Sequence, residues 1–182
     1  MRNQYTLTDE NGEEIGKVEQ VDQSPLTFLA RLFSDLDVVL PVTLSVLGNG
    51  SEMLRLHKRW FRYAVDVSAG DGTLVGRVTK RMRLSKASFT VTDADGQPLG
   101  ELRAENWRAR DFRFDDVSGT EAARVTKKWR GLGTEVFTDA DSYAVTFAAT
   151  TDDRVRELAL AAALAVDLTM KQKDYGSPLL PL

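Results

Sequence analysis

The chain of 182 residues lacks cysteine and has one histidine, His57. Without cysteine there is no disulfide framework, no thiolate zinc site, no thiol nucleophile and no thioacylation site. That composition fits a cytoplasmic chain. A single imidazole, set in the basic segment Arg55–Arg62, makes neither a catalytic triad nor a histidine metal site. Long hydrophobic runs are also missing. The longest, Leu158–Val166, has nine residues, well short of the roughly 20 that cross a bilayer. Gly-x-Ser-x-Gly elbows, phosphate loops and dinucleotide fingerprints are absent. The first residues, Met1–Tyr5, lead directly into strand-like sequence without an apolar h-region, so no signal peptide is expected. Carboxylates are numerous, but no pair stands out as general acid and base. An enzyme is not expected.

What is present is a repeat. Four segments share an aromatic residue, alternating apolar residues, an acidic turn with Gly, and then an apolar, small, polar, apolar series. They run from Tyr5 to Val18, Tyr63 to Val78, Phe89 to Leu102 and Phe112 to Val125. Each reads as a β-hairpin, with period-two alternation on both sides of an Asp/Asn/Gly turn. In the return strands Gly16/Val18, Gly76/Val78, Gly100/Leu102 and Ala123/Val125 fall on one face. Lys17, Arg77, Glu101 and Arg124 fall on the other. A small-then-apolar inner face suits a wall that another element approaches closely.

That element is the apolar run itself. A helix is predicted over about 153–174, with a centre apolar on every side, which demands burial all round. Charged flanks (Arg154, Arg156, Glu157; Asp167, Lys171, Lys173) place the burial inside protein. Counting flanking segments gives about twelve strands, and closing them leaves no exposed edge. A central helix needs a wider can than eight strands allow. The expected fold is therefore mainly β: one domain over 1–182, a closed, roughly twelve-stranded antiparallel barrel around a buried C-terminal helix. One segment interrupts the hairpins. Ser24 and Pro25 form a helix start, and Leu26, Leu29, Leu32, Phe33 and Leu36 recur at helical spacing. A short helical insertion over about 24–40, capping the barrel mouth, is expected; a membrane-surface helix is the alternative.

Charge is unevenly distributed. Residues 55–130 carry 17 Lys and Arg against 10 Asp and Glu, and the remainder 7 against 17. The basic clusters are Arg55, Lys58, Arg59 and Arg62; Lys80, Arg81, Arg83 and Lys86; Arg103, Arg108 and Arg110; and Lys127, Lys128 and Arg130. Several fall where strands end, so they are expected to gather on one rim. Trp60, Trp107 and Trp129 lie beside them and read as barrel-rim packing more readily than as nucleic-acid stacking platforms. A plainer account makes the cations an outer face paired with Asp and Glu, each pair worth little.

The stretch from Lys127 to Phe147, continuing through Asp152 and the helix to Leu168, resembles the phospholipid scramblase family. The upstream hairpins are similar to the same group and to LURP-one-related proteins, within the tubby-like superfamily. The resemblance implies a twelve-stranded barrel around the C-terminal helix. It also implies phospholipid as a partner, with phosphoinositide headgroups associated with tubby-like domains, and calcium-dependent lipid movement between leaflets. The family's calcium segment matches residues 139–150, where only Asp139 and Asp141 remain as oxygen ligands at suitable positions. Asp93-Ala94-Asp95 repeats that pattern in a turn, so turn chemistry is the preferred reading and no cofactor is expected.

Three functions follow. The first is non-enzymatic binding of anionic phospholipid headgroups through the basic rim (Arg55, Lys58, Arg59, Arg62, Lys80, Arg81, Arg83, Lys86, Lys127, Lys128, Arg130). The protein would then sit peripherally at the inner membrane surface. The second is a soluble protein-interaction barrel. The third is true scrambling, against which a filled barrel argues.

Overall fold

The structure is a computed structural model. It describes residues 4–9, 11, 13–21, 41–59, 63–81, 86–106, 111–128, 142–149 and 151–170. Eleven strands form one sheet. They are β1 (Gln4–Thr8), β2 (Glu14–Gln20), β3 (Val42–Gly48), β4 (Ser51–Lys58), β5 (Ala64–Ala69) and β6 (Leu74–Arg81). They continue as β7 (Ser88–Asp93), β8 (Pro98–Ala104), β9 (Asp111–Asp116), β10 (Glu121–Lys128) and β11 (Ser142–Phe147). Each strand pairs antiparallel with its sequence neighbours, in order β1 to β11. One helix, α1 (Asp153–Met170), follows. The helical insertion expected over 24–40, and the helix end expected at 174, lie outside the described residues.

The tight turns all fall at one end of the sheet, and their sequence explains them. Asp9 Oδ1 accepts the backbone N–H groups of Asn11 and Glu13, both at 2.9 Å. Asp93 does the same for Asp95 and Gln97, and Asp116 for Ser118 and Thr120. Asp71 accepts from Thr73 at 2.8 Å. Each side chain thus replaces a missing backbone partner, which is why Asp recurs at this position. Gly72, Gly96 and Gly119 take the left-handed conformation with φ of 88°, 81° and 82°. Asp93-Ala94-Asp95 is turn chemistry, as its sequence suggests.

Inner and outer faces follow the expected alternation. Val18, Val67, Val78, Phe89, Val91, Leu102, Phe112, Phe114 and Val125 are buried, and α1 joins them in one core. The helix packs against β5, β6, β7, β8, β10 and β11, so the sheet curls around it. From Leu158 to Val166 every residue is buried except Leu160, which is half-buried, and Leu168 is buried too. The rod is therefore enclosed on nearly every side. Its start is anchored. A register shift between Glu121 and Ala123 takes Ala122 out of the β9 ladder. The Ala122 carbonyl accepts instead from Ala148 N–H at 2.9 Å and from the Thr151 hydroxyl at 2.8 Å. Asp152 then caps the helix, its carboxylate accepting from Arg154 N–H at 2.8 Å.

Two expectations need correction. The sheet is not closed: among the described residues β1 pairs only with β2 and β11 only with β10, and the strands number eleven, not twelve. Closure needs hydrogen bonds between the first and last strands, and that pairing is absent from the sheet's register. The second concerns the small inner residues. Helix proximity explains Gly76 only in part. A Cβ there would approach Leu158 Cδ2 to 3.0 Å, but it would also collide with the Thr92 carbonyl of β7. At Gly16 and Gly100 the nearest obstacles are the Leu47 and Asp115 carbonyls on the adjoining strands, with the helix not involved. Close approach of the next strand, not of the helix, is the shared demand on these glycines.

Three outcomes are expected from urea unfolding. Leu158→Ala lowers stability by about 2–5 kcal/mol, and Leu160→Ala by clearly less. Gly96→Ala, where a Cβ meets nothing within 4 Å, costs about 1–2 kcal/mol through the backbone alone. For pH, the Ser118 hydroxyl and the Thr120 N–H hold the Asp116 carboxyl below its ordinary value of 3.8. The Thr73 N–H and hydroxyl do the same at Asp71. A depressed folded pKa adds stability that is complete above the unfolded value and lost as pH falls below it. Stability should therefore fall with acidification below about pH 4, and Asp116→Asn, which keeps an acceptor but cannot titrate, should make that fall shallower.

Candidate functional site

The meander separates the connections into two sets. Tight Asp/Gly turns close one end of the sheet. The joins between β2 and β3, β4 and β5, β6 and β7, β8 and β9, and β10 and β11 all leave from the other. Segments 59–63, 82–87, 105–110 and 129–141 belong to these joins, and they carry seven of the fourteen basic-cluster residues. The strand ends that lead into these joins carry Lys58, Lys80, Arg81, Arg103, Lys127 and Lys128.

Taken singly, the predicted cations fare differently. Arg55 pairs with Glu52 at 2.6 Å, and Arg59 with Asp66 at 3.3 Å. Arg77 reaches the same Asp66 at 2.5 Å. Lys58 is only 2% exposed and shares the inner face with Leu54 and Leu56, so it does not present its charge on the outer surface. Lys80 also has inner-face register, opposite Phe89, and is half-buried at the end of β6. Arg81 donates to the Thr90 hydroxyl at 2.6 Å, and Lys86 to the Glu105 carbonyl at 2.5 Å. In β10, Lys127 pairs in register with Tyr143 and Lys128 with Ser142. Arg62, Arg83 and Arg130 lie outside the described residues, as do the calcium candidates Asp139 and Asp141.

Register reveals a pattern that sequence inspection missed. Arg81, Ser88, Arg103, Arg113 and Arg124 are successive partners across β6 to β10. They form one transverse row on the outer face. Thr90, Glu101, Asp115 and Glu121 form the next row. Like charges directly opposite repel, and the neighbouring row offsets this. Arg103 pairs with Glu101 at 2.8 Å, Arg113 with Asp115 at 2.9 Å, and Arg124 with both Glu121 and Glu105 at 2.9 Å. Burial pushes the Glu101 carboxyl up, but the Arg103 hydrogen bond and the charges of Arg103 and Arg81 outweigh it and leave the group below its ordinary value. Hydrogen bonds to Arg55 and Arg124 lower Glu52 and Glu121 likewise. The only signal for this in the sequence was hairpin register, which sets which residues face each other. A shallow cleft of about 260 Å³ opens beside the row, lined by Lys86, Arg103, Ala104, Glu105 and Arg113.

Other chemistry is sparse. The His57 ring Nδ1 lies 2.9 Å from the Thr43 hydroxyl, on adjoining strands. Among the described residues no three His, Asp or Glu side chains are placed to hold a metal ion. Among them no helix is long and apolar enough to cross a membrane. Among the described residues, Arg103, Arg113 and Arg124 of the outer wall are paired with carboxylates of the neighbouring row.

In Saccharomyces cerevisiae, "Altered inheritance rate of mitochondria protein 25" is 26% identical over 172 residues, covering 80% of this chain and 52% of the relative. The chain thus spans about half the length of the curated relative it matches. No solved structure matches. The Scramblase family profile matches residues 1–172, nearly the whole sequence, and the chain belongs to the Scramblase family.

Proposed function

We propose that this Scramblase-family chain is a non-enzymatic protein that binds anionic phospholipid headgroups at the cytoplasmic surface of a membrane. It does so peripherally, with the basic rim facing the lipid. The observation that carries this reading is the topology: every long connection leaves from one end of the sheet, and three of them, 59–63, 82–87 and 105–110, carry a positive balance through Arg59, Arg62, Arg83, Lys86, Arg108 and Arg110. Lysine and arginine near an anionic surface contribute about 1 kcal/mol each, and the attraction is screened within about 10 Å at 0.1 M salt. Arg55 and Arg59 contribute least, because Glu52 and Asp66 already neutralise them.

The interior supports binding over passage. Leu158, Ala159, Ala161, Ala162 and Val166 occupy the space within the curl, each 1% exposed or less. A lipid headgroup has no polar path through that packing.

Flotation with vesicles across a salt series tests the reading. Binding to phosphatidylserine-containing vesicles at low salt is expected, with loss at high salt and no binding to neutral vesicles. Reversing Lys80, Arg81 and Arg83 to Glu should weaken binding by roughly a hundredfold or more, whereas Lys17→Glu, on a return strand remote from the rim, should not. Absence of binding to anionic vesicles at low salt would remove the proposal.

A further inference from the structure

The opposite end of the sheet has the reverse character. Around the tight turns Glu13, Glu14, Asp71, Asp95, Glu121 and Asp153 are all exposed. The helix start adds Asp152 and Glu157. The cations there pair with some of these acids, Lys17 with Glu14 at 3.3 Å, Arg124 with Glu121 at 2.9 Å, Arg154 with Asp93 at 4.0 Å and Arg156 with Asp153 at 3.6 Å, which leaves Glu13, Asp71, Asp95, Asp152 and Glu157 as the acidic surplus.

This acidic end also exposes apolar side chains. Seven large hydrophobic residues are exposed among the described ones, and five of them lie here. They are Ile15 (57%), Met53 (56%), Leu74 (39%), Val117 (71%) and Phe147 (39%). Ile15, Met53 and Leu74 sit on the return strands β2, β4 and β6. Met53 is displaced by the register shift after Val46, and its carbonyl accepts from Gly70 N–H at 3.0 Å. A Cβ at Gly48 would meet Met53 Cγ at 3.3 Å and the Ile15 carbonyl at 3.7 Å, so Met53 lies across Gly48 beside the start of β2. None of these side chains is fully buried, and Ile15, Met53 and Val117 each leave more than half of their surface exposed. Ile15 and Met53, brought together around Gly48, set apolar surface among these carboxylates.

Charge complementarity selects the occupant. An anionic membrane is repelled by this end. A partner that supplies Lys and Arg around apolar side chains satisfies both features at once. We propose that the tight-turn end docks a basic, amphipathic segment of a protein partner, with Met53 and Ile15 as its apolar contacts. This surface lies opposite the basic rim, and the inference does not depend on lipid binding.

Fluorescence anisotropy with a labelled Lys/Leu amphipathic peptide, at physiological ionic strength, tests it. The Lys/Leu peptide should bind and its Glu/Leu counterpart should not. The double variant Ile15→Ser/Met53→Ser should weaken binding roughly tenfold. Tyr63→Ser, an equally exposed change at the other end, should leave it unchanged. A urea midpoint equal to that of the parent protein shows that the double variant is folded; if it is not, Met53→Lys alone serves, and repulsion should then weaken binding as well. Indifference of the peptide to these variants overturns the proposal, as does equal binding of the Glu/Leu peptide. Concentration-dependent self-association lost in the same variants would also overturn it, by assigning the surface to another copy of the chain.

Discussion

Burial of α1 is the constraint on which the rest of the molecule depends. A helix that is apolar almost all round cannot be satisfied by a flat sheet, which covers one side only. The sheet must curl, and the curl has a visible source. Every tight hairpin carries a register shift beside its turn: at Leu7/Thr8, Val46/Leu47, Val67/Ser68, Val91/Thr92 and Glu121/Ala123. The pairings made across the long connections carry none. Bulges bend a strand and increase its twist, so curvature enters from one end. The small residues after each turn belong to the same device. Gly16, Gly76 and Gly100 lie where the next strand's carbonyl comes too close for a Cβ.

Bulging at one end makes the two ends chemically different. Bulged turns need Asp to hold free N–H groups and Gly for positive φ, so the turn end becomes acidic as a by-product of folding. The long connections bear no such demand, and 59–63, 82–87 and 105–110 carry more Lys and Arg than Asp and Glu, whereas 21–41 and 129–141 carry fewer. Between them the outer wall is balanced, its arginine row held against its carboxylate row. Exposed pairs of this kind add little stability. Their effect is to keep the wall neutral and leave charge separated along the strand direction.

Most of this fold was legible in the residues. Hairpins, turn positions, the inner face and the buried helix all rest on local patterns: Asp at a fixed offset from Gly, alternation by two, and an uncharged helical run. What was not legible depends on non-local geometry. Sheet closure requires knowing whether β1 meets β11, and no local pattern encodes that. The glycine positions were readable, but their cause was not, because a carbonyl on a neighbouring strand leaves no trace in the glycine's own segment. Lys58 was expected on the rim because it stands among arginines, yet parity with Leu54 and Leu56 turns it inward. Arg103 and Arg113 became neighbours only through register. Of the candidate lipid-binding residues, register turns Lys58 and Lys80 to the inner face, and Arg62, Arg83 and Arg130 lie outside the described residues.

The filled interior also decides where function can reside. Many wide barrels keep their ligand inside, and there the strands carry the specificity. Here the inward positions of β5 to β10 are taken by Val65, Val67, Val78, Phe89, Leu102, Phe114 and Val125, packed in the same core as α1. Polar groups on that face would be buried without water, at a cost of several kcal/mol each unless paired. Lys58 and Gln20 are found at strand ends, where the inner face reaches the rim. The proposed recognition surfaces are those left over once the core is built: the end of the sheet from which the long joins leave, and the turn end that exposes Met53 and Ile15. On that reading the two surfaces stand a strand's length apart, at opposite ends of one sheet.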